Sequence, residues 1–296
     1  MPANIEAHAA QLRQWIDQAD RVLIGAGAGL SADAGVDYTD EADFAAKFPA
    51  LVRRGLRAAY QMIGNTALPP DVFWGYWLLH VHHVRFGDGR RRVYQRLHEL
   101  AQGKDVFVLT SNVDALFVRN GFDAARVCSI QGDFAFLQCL TPCSNELWPS
   151  ELLLDRLLPE IDPATQALRD STLKPTCPRC GGDIFFNVRG GDWFVEEPWR
   201  RQFEHLRQWL PAASNERLLV LDIGSGFNTP GVVRWPMESV AAAIPTARFI
   251  RINRDDPRLR ADLGERALLI AGGALDTLEG AASARSVHSP PPGVVQ

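Results

Sequence analysis

Four of the five cysteines come in two close pairs. Cys139 and Cys143 form the first, and Cys177-Pro178-Arg179-Cys180-Gly181-Gly182 holds the second. Thiolates suit Zn²⁺, and four of them close a tetrahedral shell, which makes a structural site with no open position for chemistry. The second pair has the form of a zinc knuckle, in which the glycines permit a tight turn around the metal. The first pair has one residue more than the common spacing, and the gap between the pairs is longer than usual. The competing reading is four ordinary buried cysteines. Cys128 closes an apolar run and is expected in the core.

A second cluster is built from glycine. Gly25-Ala26-Gly27-Ala28-Gly29-Leu30-Ser31 follows an apolar run and precedes helix-compatible residues. Glycines there let a backbone approach a pyrophosphate, and a following helix presents free N–H groups to the anion. Such a turn occurs in flavin, NAD and methyl-donor enzymes, so by itself it leaves the ligand open. A common dinucleotide fold would place an acidic residue about 20 residues further on. An aromatic-rich stretch begins there instead, which excludes an ordinary dehydrogenase.

These residues need a scaffold, and the apolar runs supply one. Arg21–Ile24, Asp105–Leu109, Leu218–Ile223, Ala247–Ile252 and Arg266–Ala271 read as strands apolar on both faces. Four of the five end in Gly, Ser, Thr or Asn. Helical stretches at 5–18, 92–102, 199–210 and 236–244 alternate with them. The alternation predicts an α/β fold: a Rossmann-like, doubly wound parallel sheet, with ligands beyond the carboxyl ends of its strands. Residues 38–91 read as a helical insertion, with Phe73, Trp74 and Trp77 in its core. His80, His82 and His83 there read as surface or packing residues that could also approach a cofactor. Residues 131–197 carry the cysteine pairs and two β-like runs, Ile184–Val188 and Trp193–Val195. The division is then a catalytic domain over 1–279 (core 5–37, 92–130 and 198–279) and a disordered tail over 280–296.

Composition excludes several classes. The net charge of −4 is spread along the chain, against a nucleic-acid footprint. Arg90-Arg91-Arg92 reads as a solvated helix start. No apolar run approaches the roughly 20 residues of a membrane span, and the N-terminus lacks a secretory pattern. Close-spaced cysteines without such a signal point to the cytoplasm and to metal more than disulfides.

Several blocks together resemble the sirtuin family. Gly27-Ala28-Gly29-Leu30-Ser31 with Gly35-Val36 is similar to its Gly-Ala-Gly-Ile-Ser…Gly-Ile signature. Thr110-Ser111-Asn112-Val113-Asp114-Ala115-Leu116 resembles Thr-Gln-Asn-Ile-Asp-x-Leu. Ile130-Gln131-Gly132-Asp133 stands where the family has a His-Gly pair. Asp222-Ile223-Gly224-Ser225-Gly226, Ile252-Asn253 and Ile270-Ala271-Gly272-Gly273-Ala274 resemble its later loops. The blocks span about residues 21 to 278, and their order is more specific than any one of them. Three departures stand out. Val36-Asp37-Tyr38-Thr39-Asp40 replaces Asp-Phe-Arg, Ser111 replaces a Gln, and Gln131 replaces the catalytic His. Gln131-Gly132-Asp133, Gln138-Cys139-Leu140-Thr141-Pro142-Cys143, Phe194-Val195-Glu196-Glu197 and Gly226-Phe227-Asn228-Thr229-Pro230 look like the macrodomain-linked class M branch.

The resemblance implies an NAD-dependent protein ADP-ribosyltransferase with a four-cysteine zinc ribbon. The acceptor would be a protein, in that branch a lipoyl-carrier protein, and a separate macrodomain hydrolase would reverse the modification. Asn112, Gln131 and Asp114 would be catalytic. Asn112 would hold the nicotinamide ribose or a water, and Asp114 would accept a hydrogen bond from the carboxamide. Gly27, Gly29 and Ser31 would cradle the pyrophosphate, helped by Ser225, with Ala28 in the same cofactor site, and Asn253 would bind the adenosine ribose. Gly35, Tyr38, Ser111, Gly224, Gly226, Asn228, Gly273 and Ala274 complete the expected cofactor site, and Cys139, Cys143, Cys177 and Cys180 the metal site. Trp193 and Glu196-Glu197 would border the acceptor cleft.

Each polar residue also has a local reading: a cap for Ser31, Asn112 and Asp114, a turn for Asn253, a plain loop position for Gln131. Deacylation needs a base near neutral pKa, which His offers and a Gln amide does not. Transfer of ADP-ribose is therefore favoured over deacylation by an unusual base, over hydrolysis by water and over a silent NAD or ADP-ribose sensor.

Overall fold

The structure, a computed structural model, describes residues 2–213, 215–260 and 262–284. Helix α1 (Pro2–Gln18) leads into strand β1 (Arg21–Ala26) and the short helix α2 (Ala28–Asp33). Helices α3 (Glu41–Lys47), α4 (Pro49–Val52) and α5 (Pro70–Val81) follow, and a π turn extends α5 over His82–Phe86. The chain then makes α6 (Arg92–Leu100), β2 (Asp105–Thr110), α7 (Leu116–Arg119) and β3 (Val127–Ser129). Next come β4 (Gly132–Cys139), β5 (Trp148–Pro149), α8 (Glu151–Leu157) and β6 (Ile184–Val188). It closes with α9 (Glu197–Ala213), β7 (Leu218–Ile223), α10 (Arg234–Ala243), β8 (Arg248–Ile252), β9 (Ala267–Ile270) and α11 (Ala274–Ser283).

Among the described residues six parallel strands form one sheet in the order β3-β2-β1-β7-β8-β9. This is the doubly wound order, with its reversal between β1 and β7. Apolar side chains alternate across it. Val22 and Ile24 face a core with Leu12 and Ile16 of α1, Leu97 of α6 and Leu278 of α11. Leu23 faces the opposite core, with Leu206 and Trp209 of α9 and Met237 of α10. Burial on both sides is why these strands lack polar alternation. The predicted fold class is therefore observed.

β4, β5 and β6 form a small antiparallel sheet. The helical insertion packs on it: Trp77 lies 5.1 Å from Phe185, and Trp74 6.1 Å from Phe186, centroid to centroid. Both tryptophans are buried, as expected, and share one core with Phe134, Leu153 and Cys139. The insertion and the cysteine module are thus one lobe, although the sequence separates them.

Three details differ from the sequence reading. Val127–Ser129 is a strand, pairing with Val108–Thr110 at the sheet edge. Trp193–Val195 is not a strand: Gln138 donates to the Trp193 carbonyl and accepts from Val195 N–H, which fixes these residues as a loop on β4. Helix α11 takes the first residues assigned to the tail, because Gly280 lets it pack closely against Ala9 of α1. Residues 285–296, the rest of that segment, lie outside the described residues.

Candidate active site

At the reversal between β1 and β7 the two glycine turns interlock. A Cβ on Gly27 would stand 2.6 Å from the Gly224 oxygen, and one on Gly29 2.7 Å from the Gly224 Cα. Gly224 itself has φ +65°, and its missing Cβ would lie 2.4 Å from the Leu30 nitrogen. These glycines are required first by the contact between loops. Any approach to a ligand is built on that contact.

A cavity of about 680 Å³ opens beside this contact, within the range of roughly 300–1,000 Å³ usual for small-molecule sites. Of the residues expected from sequence, Ala28, Gly29, Ser31, Tyr38, Ser111, Asn112, Asp114, Gly224, Gly226, Asn228, Asn253, Gly273 and Ala274 line it. Four others do not. Gly27 lies behind the wall, its carbonyl accepting from Asn112 Nδ2 at 3.1 Å. Gly35, at φ +82°, lines a smaller neighbouring cavity. The Ser225 hydroxyl turns inward and donates to Asp222 at 2.7 Å, so it is not free to reach a phosphate. Gln131 stands outside the lining, and its Oε1 is buried with no hydrogen-bond partner among the described residues.

A buried polar cluster borders the cavity. Ser31 donates to Asp114 Oδ2 at 2.7 Å and lies 3.3 Å from the Tyr94 hydroxyl. Asn112 Nδ2 reaches the same hydroxyl at 3.5 Å. The other Asp114 oxygen accepts from Leu116 N–H at 2.9 Å, so it caps α7 while Oδ2 serves the cluster. Burial raises the Asp114 carboxyl above its ordinary value, against the pull of the Ser31 and Leu116 bonds. Burial, then the neighbouring Asp114, also raises Tyr94, which keeps its proton. Ala115, the next residue, adopts φ +56°, an uncommon conformation for a side chain with a Cβ. Tyr94 escaped the sequence reading because it arrives from α6, where it looks like one more apolar-face residue.

The far end of the cavity rests on charge. Arg251 of β8 pairs with Asp222 of β7 at 2.6 Å and with Glu238 of α10 at 2.8 Å, all three buried. Arg234 donates to the carbonyls of Ser225, Asp256 and Arg258, and its guanidinium lies 4.2 Å from the centre of the exposed Phe227 ring. Asn253 donates to the Ser225 carbonyl and accepts from the Asp255 and Asp256 N–H groups. It therefore makes the turn that its local reading implied, while also lining the cavity. Asp33 caps the start of α11 and pairs with Arg254. The signal for the charge cluster was visible: a lone Asp and a lone Arg inside apolar strands, which the register places opposite each other.

The four paired cysteines converge in the second lobe. Their sulfurs all lie within 4.8 Å of one another, with Cys139–Cys180 and Cys143–Cys177 each at 3.6 Å. A tetrahedral ion with Zn–S bonds of about 2.3 Å has sulfur–sulfur edges of about 3.8 Å, so the set fits zinc. Cys128 is buried in the sheet's second core, as expected. Gly132, at φ +102°, and Asp133, paired with Arg85 at 2.7 Å, fix the start of β4. Glu196 pairs with Arg189 and Arg200.

The sheet order and the cavity at its reversal define a Rossmann-like α/β protein whose second lobe carries four convergent cysteines. No protein-family model matches the chain. It is 37% identical over 234 residues to a probable bifunctional ADP-ribose hydrolase/ADP-ribosyltransferase of Fusarium oxysporum f. sp. cubense, covering 77% of this chain and 39% of that protein. The chain thus spans about two fifths of that relative's length. It is 26% identical to a protein ADP-ribosyltransferase of Staphylococcus aureus, over 87% of this chain and 81% of that one. It is 27% identical to an NAD-dependent protein deacetylase of Xanthomonas campestris pv. campestris, over 83% and 84%. Among solved structures, a Sir2 homolog–NAD complex superposes with a TM-score of 0.57 at 18% identity, over 92% of each chain. A mutant Sir2 homologue bound to 2′-O-acetyl ADP ribose gives 0.59 at 17% identity, over 94% of this chain and 98% of that one. The chain has the fold of these Sir2 homologues.

Proposed function

We propose that this protein cleaves NAD at the bond between nicotinamide and ribose and transfers ADP-ribose to a side chain of an acceptor protein. The observation that carries the reading is the buried Ser31–Tyr94–Asn112–Asp114 cluster, of which Ser31, Asn112 and Asp114 line the cavity at the sheet's reversal. The names of the Fusarium and Staphylococcus relatives support the same activity.

Bond cleavage sends the electron pair to nicotinamide, which leaves neutral. An acceptor heteroatom then bonds the electron-poor ribose carbon and gives up its proton. The chain's part is to bind, orient and exclude water. Asn112, held by Gly27 and Tyr94, presents a fixed amide to the ribose region. Asp114, with one oxygen engaged by Ser31, offers a buried carboxyl to the carboxamide of the leaving group. The two glycine turns and Arg234, which lies beneath the Phe227 ring, would hold the rest of the dinucleotide. The four cysteines would hold zinc, which supplies a cross-link for the second lobe and no reaction step.

Gln131 has no basicity at neutral pH. Loss of a general base costs about 10²–10⁴-fold, which weighs against deacylation and leaves transfer. An orienting role is kept for Gln131 from the resemblance; its Oε1 is buried without a partner among the described residues and stands outside the cavity lining. We take the acceptor to be a lipoyl-carrier protein, as the class M resemblance implies, and the site of action to be the cytoplasm. The bifunctional name of the Fusarium relative supports pairing with an ADP-ribose hydrolase. The Xanthomonas deacetylase favours deacylation as a second reading.

NAD labelled in the adenosine, incubated with the protein and a lysate, separates them. Label retained on protein supports transfer. Free O-acyl-ADP-ribose would support deacylation, and NAD binding without nicotinamide release would replace both with a sensor.

A further inference from the structure

Tyr38 is the wall between two cavities. It lines the large one, and with Gly35, Val36 and His80 it also lines a neighbouring space of about 30 Å³. Its hydroxyl lies 2.8 Å from Nε2 of His80 on α5. The loop that carries it is fixed. Asp37 accepts from the backbone and hydroxyl of Thr39, Asp40 caps α3, and the Tyr38 carbonyl accepts from Tyr60 N–H.

His80 sits in an aromatic cage. The Tyr76 ring stacks on it at 5.3 Å, and Trp77 and Phe134 present edges at 5.6 and 5.9 Å. Burial first, then the neighbouring His83 and Lys47, lowers its pKa to about 3. The imidazole is therefore neutral and has one nitrogen able to accept. Burial raises Tyr38, so the phenol keeps its proton and donates it to that nitrogen. A phenol oxygen that has given its hydrogen this way retains lone pairs for its other side.

We propose that His80 is a positioning residue. By accepting the Tyr38 hydrogen it aims the Tyr38 oxygen, as a hydrogen-bond acceptor, at a hydroxyl of the reacting ribose or of the attacking acceptor. This inference rests on the proposed NAD chemistry and deepens it. It supplies an acceptor within the cavity lining, which Gln131 stands outside. No proton is transferred to His80, whose apolar cage opposes a charge.

The test compares wild type with Tyr38→Phe, His80→Phe, His80→Gln and the double Tyr38→Phe/His80→Phe, each checked for folding by thermal melting. The readouts are kcat and KM for nicotinamide release. Loss of one positioned hydrogen bond should lower kcat about tenfold in either Phe variant, with KM for NAD nearly unchanged. The double variant should be no slower than the singles, because both remove the same bond. His80→Gln, which keeps an acceptor oxygen, should recover much of the rate. Multiplying effects, or a His80→Gln variant as slow as His80→Phe, would overturn the proposal. If His80→Phe does not fold, Tyr38→Phe decides alone, since it deletes only a hydroxyl; an unchanged kcat there rejects the role. An active wild type with a fully active His80→Phe sinks the positioning role only. A wild type that releases no nicotinamide overturns the proposed function and this inference with it.

Discussion

Two buried polar clusters sit at the carboxyl edge of the same sheet, and they are neutralised differently. Around Arg251 each charge has an opposite charge: Asp222 and Glu238 hold the guanidinium, and Arg260 returns to Glu238 at 3.1 Å. Burial alone would raise Glu238, yet its bonds to Arg251 and Arg260 lower it. Around Asp114, among the described residues, no ion pair answers the carboxyl; the Ser31 hydroxyl and the Leu116 N–H do. The first cluster is charge-paired, although Asp222 Oδ1 is buried with no hydrogen-bond partner among the described residues, and it supports the loops that border the cavity. The second is held together but left electrostatically incomplete, as a site awaiting a ligand must be. A third polar cluster, the four thiols, is completed only by a metal.

This contrast can be broken in order of effect. The largest is expected from the thiols. Stripping the metal, or Cys177→Ala, should remove on the order of 10 kcal/mol of metal-linked folding energy. The second lobe should lose its fixed structure, seen as lost tryptophan signal and stoichiometric zinc release. Retained structure after chelation would mean the core of Trp74, Trp77 and Phe186 holds the lobe by itself. Next, Arg251→Met should cost about 3–5 kcal/mol in urea unfolding, because it leaves Asp222 buried without its cation and Glu238 with Arg260 alone. A small cost would show that water enters the cluster. Asn112→Ala should do the reverse. We expect nicotinamide release to fall about 10²-fold or more, with only about 1 kcal/mol of stability lost. Unchanged turnover would remove Asn112 from the chemistry.

The smallest effect concerns pH. Burial raises the Asp114 carboxyl above its ordinary 3.8, so the folded chain binds that proton more tightly than the unfolded one. Stability from this group is then greatest below that value and is lost as pH rises through the raised folded pKa. Asp114→Asn has no such proton to lose. Its urea midpoint should decline less than that of wild type as pH rises from about 4 toward neutrality. Parallel profiles would mean the carboxyl is not strained in the folded state.

Much of this was legible in one dimension, for identifiable reasons. A strand buried on both faces has no polar alternation, so Val22–Ile24 and Leu218–Leu221 announced a covered parallel sheet. Two cysteine pairs announced their own convergence, since thiols so spaced have few other uses. Trp193–Val195 misled because its residues favour strands, while Gln138, distant in sequence, and Asn187 of β6 hold it as a loop. Val127–Ser129 was too short for periodicity to register. Ser225 read as a phosphate ligand, but Asp222, three residues earlier, takes its hydroxyl.

The sequence by itself determined the class of fold, the glycine turns, the four cysteines that converge and several stretches of the cavity wall, because these depend on local composition and on spacing along the chain. Only the tertiary structure decided which polar groups meet. Tyr94 from α6 reaches Ser31 and Asn112, Arg251 finds Asp222 across two strands, and His80 from the insertion reaches Tyr38. Those meetings join residues from separate elements, and a hydrogen bond depends on the final positions of both partners, which no local pattern encodes.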